Sequence, residues 1–114
     1  MKKNKISKNW INKQRRDIYV RKSKLEGYRS RAIYKLKEID DKFKIIRNGI
    51  KVVDLGSAPG SWSQYLSEKS KNSKILSIDL NDIEKIHNVT HLIGDFLDEK
   101  NQTIISNFFK DKLD

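Results

Sequence analysis

Residues 51–62, KVVDLGSAPGSW, constrain the fold more than any other part of the chain. A short apolar run, Val52, Val53 and Leu55, carries one acid, Asp54, and then breaks at Gly56-Ser57-Ala58-Pro59-Gly60. Polar, helix-compatible residues follow, with Trp62 and Leu66 among them. Strand, glycine turn and helix in that order open a nucleotide-type α/β unit. Glycine suits the turn because, lacking a Cβ, it lets the backbone bend sharply and approach a ligand.

The flanking segments continue the pattern. Upstream, Ser30 reads as a cap for a helix over 31–43, with Ala32, Ile33, Leu36, Ile39 and Phe43 as its buried stripe. Lys35 falls on the flank of that stripe, where a lysine usually extends its charge to water. If the helix crosses the mouth of the glycine turn, the same position aims the ammonium into a cleft. Asn48-Gly49 signals a turn before the first strand.

Downstream, the spacing predicts a short helix over 61–70, with Trp62, Tyr65 and Leu66 toward the sheet. Strands are expected over 74–80 and 90–94, joined by a polar connector over 81–88. An amphipathic helix over 102–113 closes the chain, with Ile104, Ile105, Phe108 and Phe109 as its apolar residues.

Each predicted strand has an acid near its C-terminal end: Asp54, Asp79 and Asp95. In an open parallel sheet, ligands bind outside those ends, so the three acids are expected along one edge. Asp79 stands 19 residues beyond Gly60, the interval at which an acid reaches a ribose hydroxyl. An acid at a strand end also caps a following helix, but three beside a glycine turn favour a ligand. A dinucleotide site would need G-x-G-x-x-G; here only Gly56 and Gly60 are present, and Pro59 removes an amide donor. A phosphate-free ligand fits better, and S-adenosylmethionine offers an ammonium, a ribose and an adenine amino group to carboxylates.

Charge divides the chain. Residues 1–51 hold 18 lysines and arginines against 5 acids, a net +13; residues 52–114 hold 7 against 10, a net −3. A general lysine bias would act along the whole length, so the asymmetry points to a polyanion partner for the first half. Its first 27 residues form a basic lead-in with Arg15-Arg16, interrupted by Trp10, Ile11, Ile18, Tyr19 and Val20. Interleaved aromatics suit a phosphate backbone with occasional base stacking. Parts of it are expected to be helical, with these residues docking on the domain; a solvated helix face with a few anchoring apolar residues accounts for the segment equally well.

Cysteine is absent, which excludes disulfides and thiolate metal sites. His87 and His91 are too isolated to suggest a metal and read as surface residues. No apolar run reaches membrane-spanning length, and the cytoplasm is the default expectation.

Three blocks together carry a resemblance: Gly27-Tyr28-Arg29-Ser30-Arg31-Ala32-Ile33-Tyr34-Lys35-Leu36; residues 52–65; and Asp79 with Gly94-Asp95-Phe96. They closely resemble the FtsJ-type methyltransferases, particularly bacterial members that methylate a ribose 2′-hydroxyl of uridine in large-subunit ribosomal RNA. The resemblance implies a Rossmann-like, S-adenosylmethionine-dependent fold and ribosomal RNA, or the large ribosomal subunit, as partner. It implies donor-binding roles for Gly56, Ser57, Pro59, Gly60, Trp62, Asp79 and Asp95, and the first catalytic lysine at Lys35. Ser57 and Ser61 replace the family's usual alanine and glycine. Arg15, Arg16, Arg29 and Arg31 are expected to engage RNA.

The family's catalytic Asp, second Lys and Glu come after a fourth strand and have no counterparts in these 114 residues. In the family's strand order that fourth strand pairs with the first. The expectation is therefore a basic lead-in over 1–27 and a partial methyltransferase domain over 28–114, truncated before the fourth strand. A non-catalytic RNA-binding remnant, or a methyltransferase acting on another RNA such as transfer RNA, are the alternatives. A small-molecule substrate is a weaker alternative, which the +13 half argues against.

Overall fold

The computed structural model describes residues 2–110. Three parallel strands, β1 (Lys51–Leu55), β2 (Lys74–Asp79) and β3 (Val89–Ile93), form a sheet in the order β1-β2-β3. Four helices flank them: α1 (Lys2–Leu25), α2 (Ile33–Phe43), α3 (Ser61–Lys69) and α4 (Glu99–Phe109). This is the α/β, Rossmann-like arrangement expected from the sequence.

The middle strand organises the core. Alternation along β2 sends Ile75 to one face, where it meets Ile33, Leu36, Tyr65 and Leu66 of α2 and α3. Leu76 and Ile78 meet Ile105 and Phe109 of α4. Both faces of β2 are thereby covered, as a parallel sheet requires. In register, Val53 pairs with Leu76 and Leu55 with Ile78, while Asp79 pairs with Ile93. The strand ends that carry the acids thus lie at one end of the sheet.

Several boundaries move, each for a local reason. Helix α2 begins at Ile33 because Arg31 and Ala32 form a turn, although Ser30 Oγ accepts the Ala32 N–H at 3.3 Å. Phe43 is 64% exposed, not part of the buried stripe. The helix ends there with Lys44 in a left-handed conformation (φ 53°), so the last turn overhangs the core. Helix α4 starts three residues early, at Glu99, because Asp98 caps it by accepting the Lys100 N–H at 3.0 Å. Its expected last residues, 111–113, lie outside the described residues, as does Met1 of the lead-in. The 48–49 turn holds: Asn48 Oδ1 accepts the Lys71 N–H, and Gly49 (φ 77°) donates to Lys71 O.

The lead-in is one continuous, largely solvated helix, and of the expected anchors Tyr19 docks on the domain while Trp10 and Ile18 do not. Trp10 is 62% exposed and Ile18 is 53% exposed, so these residues do not anchor it. Among the described residues its C-terminal end touches the domain, through Tyr19, whose ring lies 5.4 Å from that of Tyr34, through Lys22 over the same ring and through buried Ser23. Twenty-four residues of helix span about 36 Å at 1.5 Å per residue. That projection accounts for the long 56 Å axis of the molecule.

Candidate methyl-donor site

The glycine loop is fastened to the middle strand. Gly56 N–H and Ser57 N–H both donate to Ile78 O, at 2.9 and 3.2 Å. Ala58 N–H donates to Asp79 Oδ2 at 3.1 Å. Pro59 has no N–H, so four consecutive loop positions offer no free amide to a phosphate. This strengthens the sequence argument that the turn is a poor phosphate cradle. Gly56 and Gly60 adopt φ of 66° and 104°, a region that side chains disfavour. At Gly60 space is also tight: an added Cβ would lie 3.0 Å from Ile86 Cδ1 and 3.3 Å from Arg29 Nη1, and these side chains would have to give way.

Asp79 is the hub of the loop. Its Oδ1 accepts the Asn81 N–H at 2.8 Å while Oδ2 holds Ala58. These N–H donors, Asn81 first, hold its carboxyl below the usual range, so it is an anion with lone pairs to spare. Asp79 and Asp95 line one cleft with Gly56, Gly94 and Phe96. Asp95 is positioned by the Leu97 N–H, 2.9 Å from its Oδ1.

Asp54, the third strand-end acid, does not join that edge. It is buried and accepts the Ser63 O–H at 2.7 Å, which ties β1 to α3. Burial pushes its carboxyl up; Ser63 pulls it down, and the Asp79 charge adds a smaller upward push. A raised folded-state value means stability is greatest with Asp54 protonated and is lost as pH rises above about 4. Ser63→Ala removes the group that favours the anion. It should cost little at pH 4 and about 1–3 kcal/mol at pH 7.5. Urea titrations at the two pH values measure this; an equal cost at both would show that Ser63 does not act through the carboxylate.

A second, larger groove of about 1040 Å³ runs along β1 and over the other face of the loop. Lys35, Trp62, Asp54 and the loop residues Gly56, Ser57 and Pro59 line it. Lys35 is exposed and lines the same groove as the glycine loop. Trp62 is turned toward α2: its indole N–H donates to Ala32 O at 2.7 Å, fixing the start of the helix that carries Lys35. Ser57 Oγ is buried without a hydrogen-bond partner, in the loop that lines the groove. A bound ligand's polar group would satisfy it.

Arg29 takes a different place from the expected RNA contact. Its guanidinium donates to Pro59 O at 3.1 Å, Glu84 O at 2.6 Å and Lys85 O at 3.2 Å. Gln64 holds the same segment, donating to Gly27 O and accepting the Arg29 N–H. The arginine is a strut that joins the glycine loop to the 81–88 connector. Arg15, Arg16 and Arg31 are exposed on the outer surface. His91 is half-buried rather than a surface residue: its Nδ1 lies 2.6 Å from Ser77 Oγ and its Nε2 3.0 Å from Asn81 O. Among the described residues, no group of three or more histidines or acids is placed to hold a metal. No helix among them is long and apolar enough to cross a membrane.

Comparison with known proteins places these features in a family. Residues 28–114 match the FtsJ-like methyltransferase family. The whole chain is 59% identical over 114 residues to Ribosomal RNA large subunit methyltransferase E of Pelagibacter ubique, covering 56% of that protein. The proteins of the same name from Legionella pneumophila (strain Corby) and Rickettsia akari are 49% and 46% identical, over 87% and 95% of this chain. They are covered over 48% and 50% of their own lengths. The chain therefore spans about half the length of the curated relatives it matches. A crystal structure described as a ribosomal RNA methyltransferase from Plasmodium falciparum superposes with a TM-score of 0.67 at 33% identity, over 75% of this chain and 51% of that one.

Proposed function

Because the chain belongs to the FtsJ-like methyltransferase family, we propose that it forms the donor-binding half of an S-adenosylmethionine-dependent methyltransferase. Its acceptor in this reading is a ribose 2′-hydroxyl, of uridine, in large-subunit ribosomal RNA, and its place is the cytoplasm. The observation that carries the reading is the spent loop: its amides face β2, while the Asp79 and Asp95 carboxylates face a cleft. Such a site rejects pyrophosphate and favours hydroxyl and amino donors.

S-adenosylmethionine, when bound, supplies a methyl group on a sulfonium. Around it, Asp79 accepts from the ribose hydroxyls and Asp95 from the adenine side. Ser57, Pro59 and Trp62 line the groove that Lys35 also lines, and Gly60 sets the turn into α3. A 2′-hydroxyl is a weak nucleophile, so it must be aligned with the methyl and relieved of its proton. Lys35 is the group of this chain placed in that groove. Residues 1–27, with Arg15, Arg16 and Arg31 exposed, form the RNA-contacting lead-in, and residues 28–114 the partial methyltransferase domain.

Calorimetric titration of the chain tests the reading. S-adenosylmethionine should bind, and ATP, with a comparable nucleoside but three phosphates, should not. Binding of ATP alone, or of neither, would overturn the donor assignment.

A further inference from the structure

Where α1 meets α2, two tyrosines form a step in the surface. Tyr34 is held from several sides: Tyr28 packs edge-on at 6.4 Å, and the Lys22 and Lys37 ammoniums lie 5.0 and 5.8 Å from its ring centroid. Glu26 fixes both lysines from below, with one carboxylate oxygen 3.8 Å from each. Tyr19 leans on Tyr34 at 36°, yet 44% of its surface stays exposed. One face of a large ring is thereby immobilised while the remainder meets solvent.

The surrounding groove encloses about 820 Å³. Five cations line it against two carboxylates, Glu38 and Asp41. Ala32 and Lys35 line both this groove and the one over the glycine loop, so the two adjoin at the start of α2. A braced aromatic ring among lysines, opening toward a candidate catalytic lysine, matches the chemistry of a stacked base with flanking phosphates.

We propose that this junction binds one unpaired nucleotide of the RNA, next to the nucleotide whose ribose lies at Lys35. Its base stacks on Tyr19, and Lys22 and Arg31 take the adjoining phosphates. The proposal rests on the reading of RNA as the methyl acceptor. It explains why an otherwise charged helix carries an aromatic at the point where it joins the domain. Stacking on a braced ring also costs little entropy, because Tyr34 has already fixed it.

The test is binding of a labelled single-stranded RNA dodecamer to the full chain across a range of salt. Tyr19→Ala should weaken binding roughly tenfold and leave the salt slope unchanged, because a stack and no ion pair is lost. Tyr19→Phe, which keeps the ring, should bind like the wild type. Tyr19→Leu, which keeps apolar packing on Tyr34 without a π face, should bind like Tyr19→Ala. Lys22→Ala should instead lower the slope by about one. Duplex RNA of the same length should be indifferent to Tyr19.

If Tyr19→Ala or Tyr19→Leu binds within twofold of the wild type, or Tyr19→Phe loses as much as Tyr19→Ala, the stacking site is refuted while the RNA reading stands. If the wild-type chain binds no RNA, the RNA reading itself falls and takes the site with it.

Discussion

Asp79→Ala should lower affinity for S-adenosylmethionine about a hundredfold, the largest loss expected from a change in the donor site. Two roles disappear together. The carboxylate that would accept from the ribose is gone, and with it charge-assisted bonds, which are stronger than neutral ones. The loop also loses one of its three tethers, because Ala58 N–H then has no acceptor at the end of β2, while Gly56 and Ser57 still donate to Ile78 O. Asp79→Asn separates the two. An amide oxygen can still accept from Ala58, so that tether is kept while the negative charge is lost, although the amide NH2 then faces Asn81 N–H and that second bond is lost. That variant should fall between wild type and Asp79→Ala. Calorimetric dissociation constants decide it, with thermal melts to confirm that both variants fold. An Asp79→Ala affinity equal to wild type would move the donor elsewhere.

The sign of the pH response follows from the same hydrogen bonds. Asp79 titrates below its ordinary range, so its contribution to stability is present above about pH 4 and fades as pH falls through its folded value. Asp54 titrates above its range and acts in the opposite sense, losing stability as pH rises from about 4. Two strand-end acids, alike in the sequence, thus oppose each other. The difference arises from where each side chain points.

That contrast marks the boundary of what the sequence made legible. The strands, the glycine turn and the acid at each strand end were readable because each is local: a period of two, a run of small residues, one charged position. The placement of Lys35 was readable from the helical stripe. What escaped depends on partners distant in the chain. Arg29 sits in a basic segment and read as a surface contact, yet its carbonyl partners lie at Pro59, Glu84 and Lys85. Ser63 carried no signal in the sequence, yet it is fully buried and donates to Asp54. Trp10 and Ile18 looked like anchors because apolar residues usually are; α1 instead runs out past the domain. The Asp98 cap was a missed local signal, visible as an acid directly before the helix.

Lys35→Ala should cut methyl transfer by about 10²- to 10⁴-fold, the range that a positioned proton acceptor contributes, in a protein spanning the relatives' full length. Donor affinity should not change, because the carboxylates of the donor cleft, Asp79 and Asp95, lie elsewhere. The structure supports the assignment through restraint of α2. Trp62 N–H holds Ala32 O, Ser30 Oγ lies 2.8 Å from Ser61 Oγ, and Ile33 and Leu36 are buried on either side of Lys35 in the helix. A helix tied at its start to the segment that leaves the glycine loop sets the lysine in fixed register with that loop. Lys35→Arg distinguishes two chemical roles. Arginine keeps the positive charge but does not release its proton, so it rescues transfer only if Lys35 merely holds a phosphate. Failure of Lys35→Arg alongside Lys35→Ala, with RNA affinity retained, assigns proton transfer or alignment of the hydroxyl to Lys35. Transfer at the wild-type rate in Lys35→Ala would remove this residue from the chemistry and leave α2 a purely structural helix.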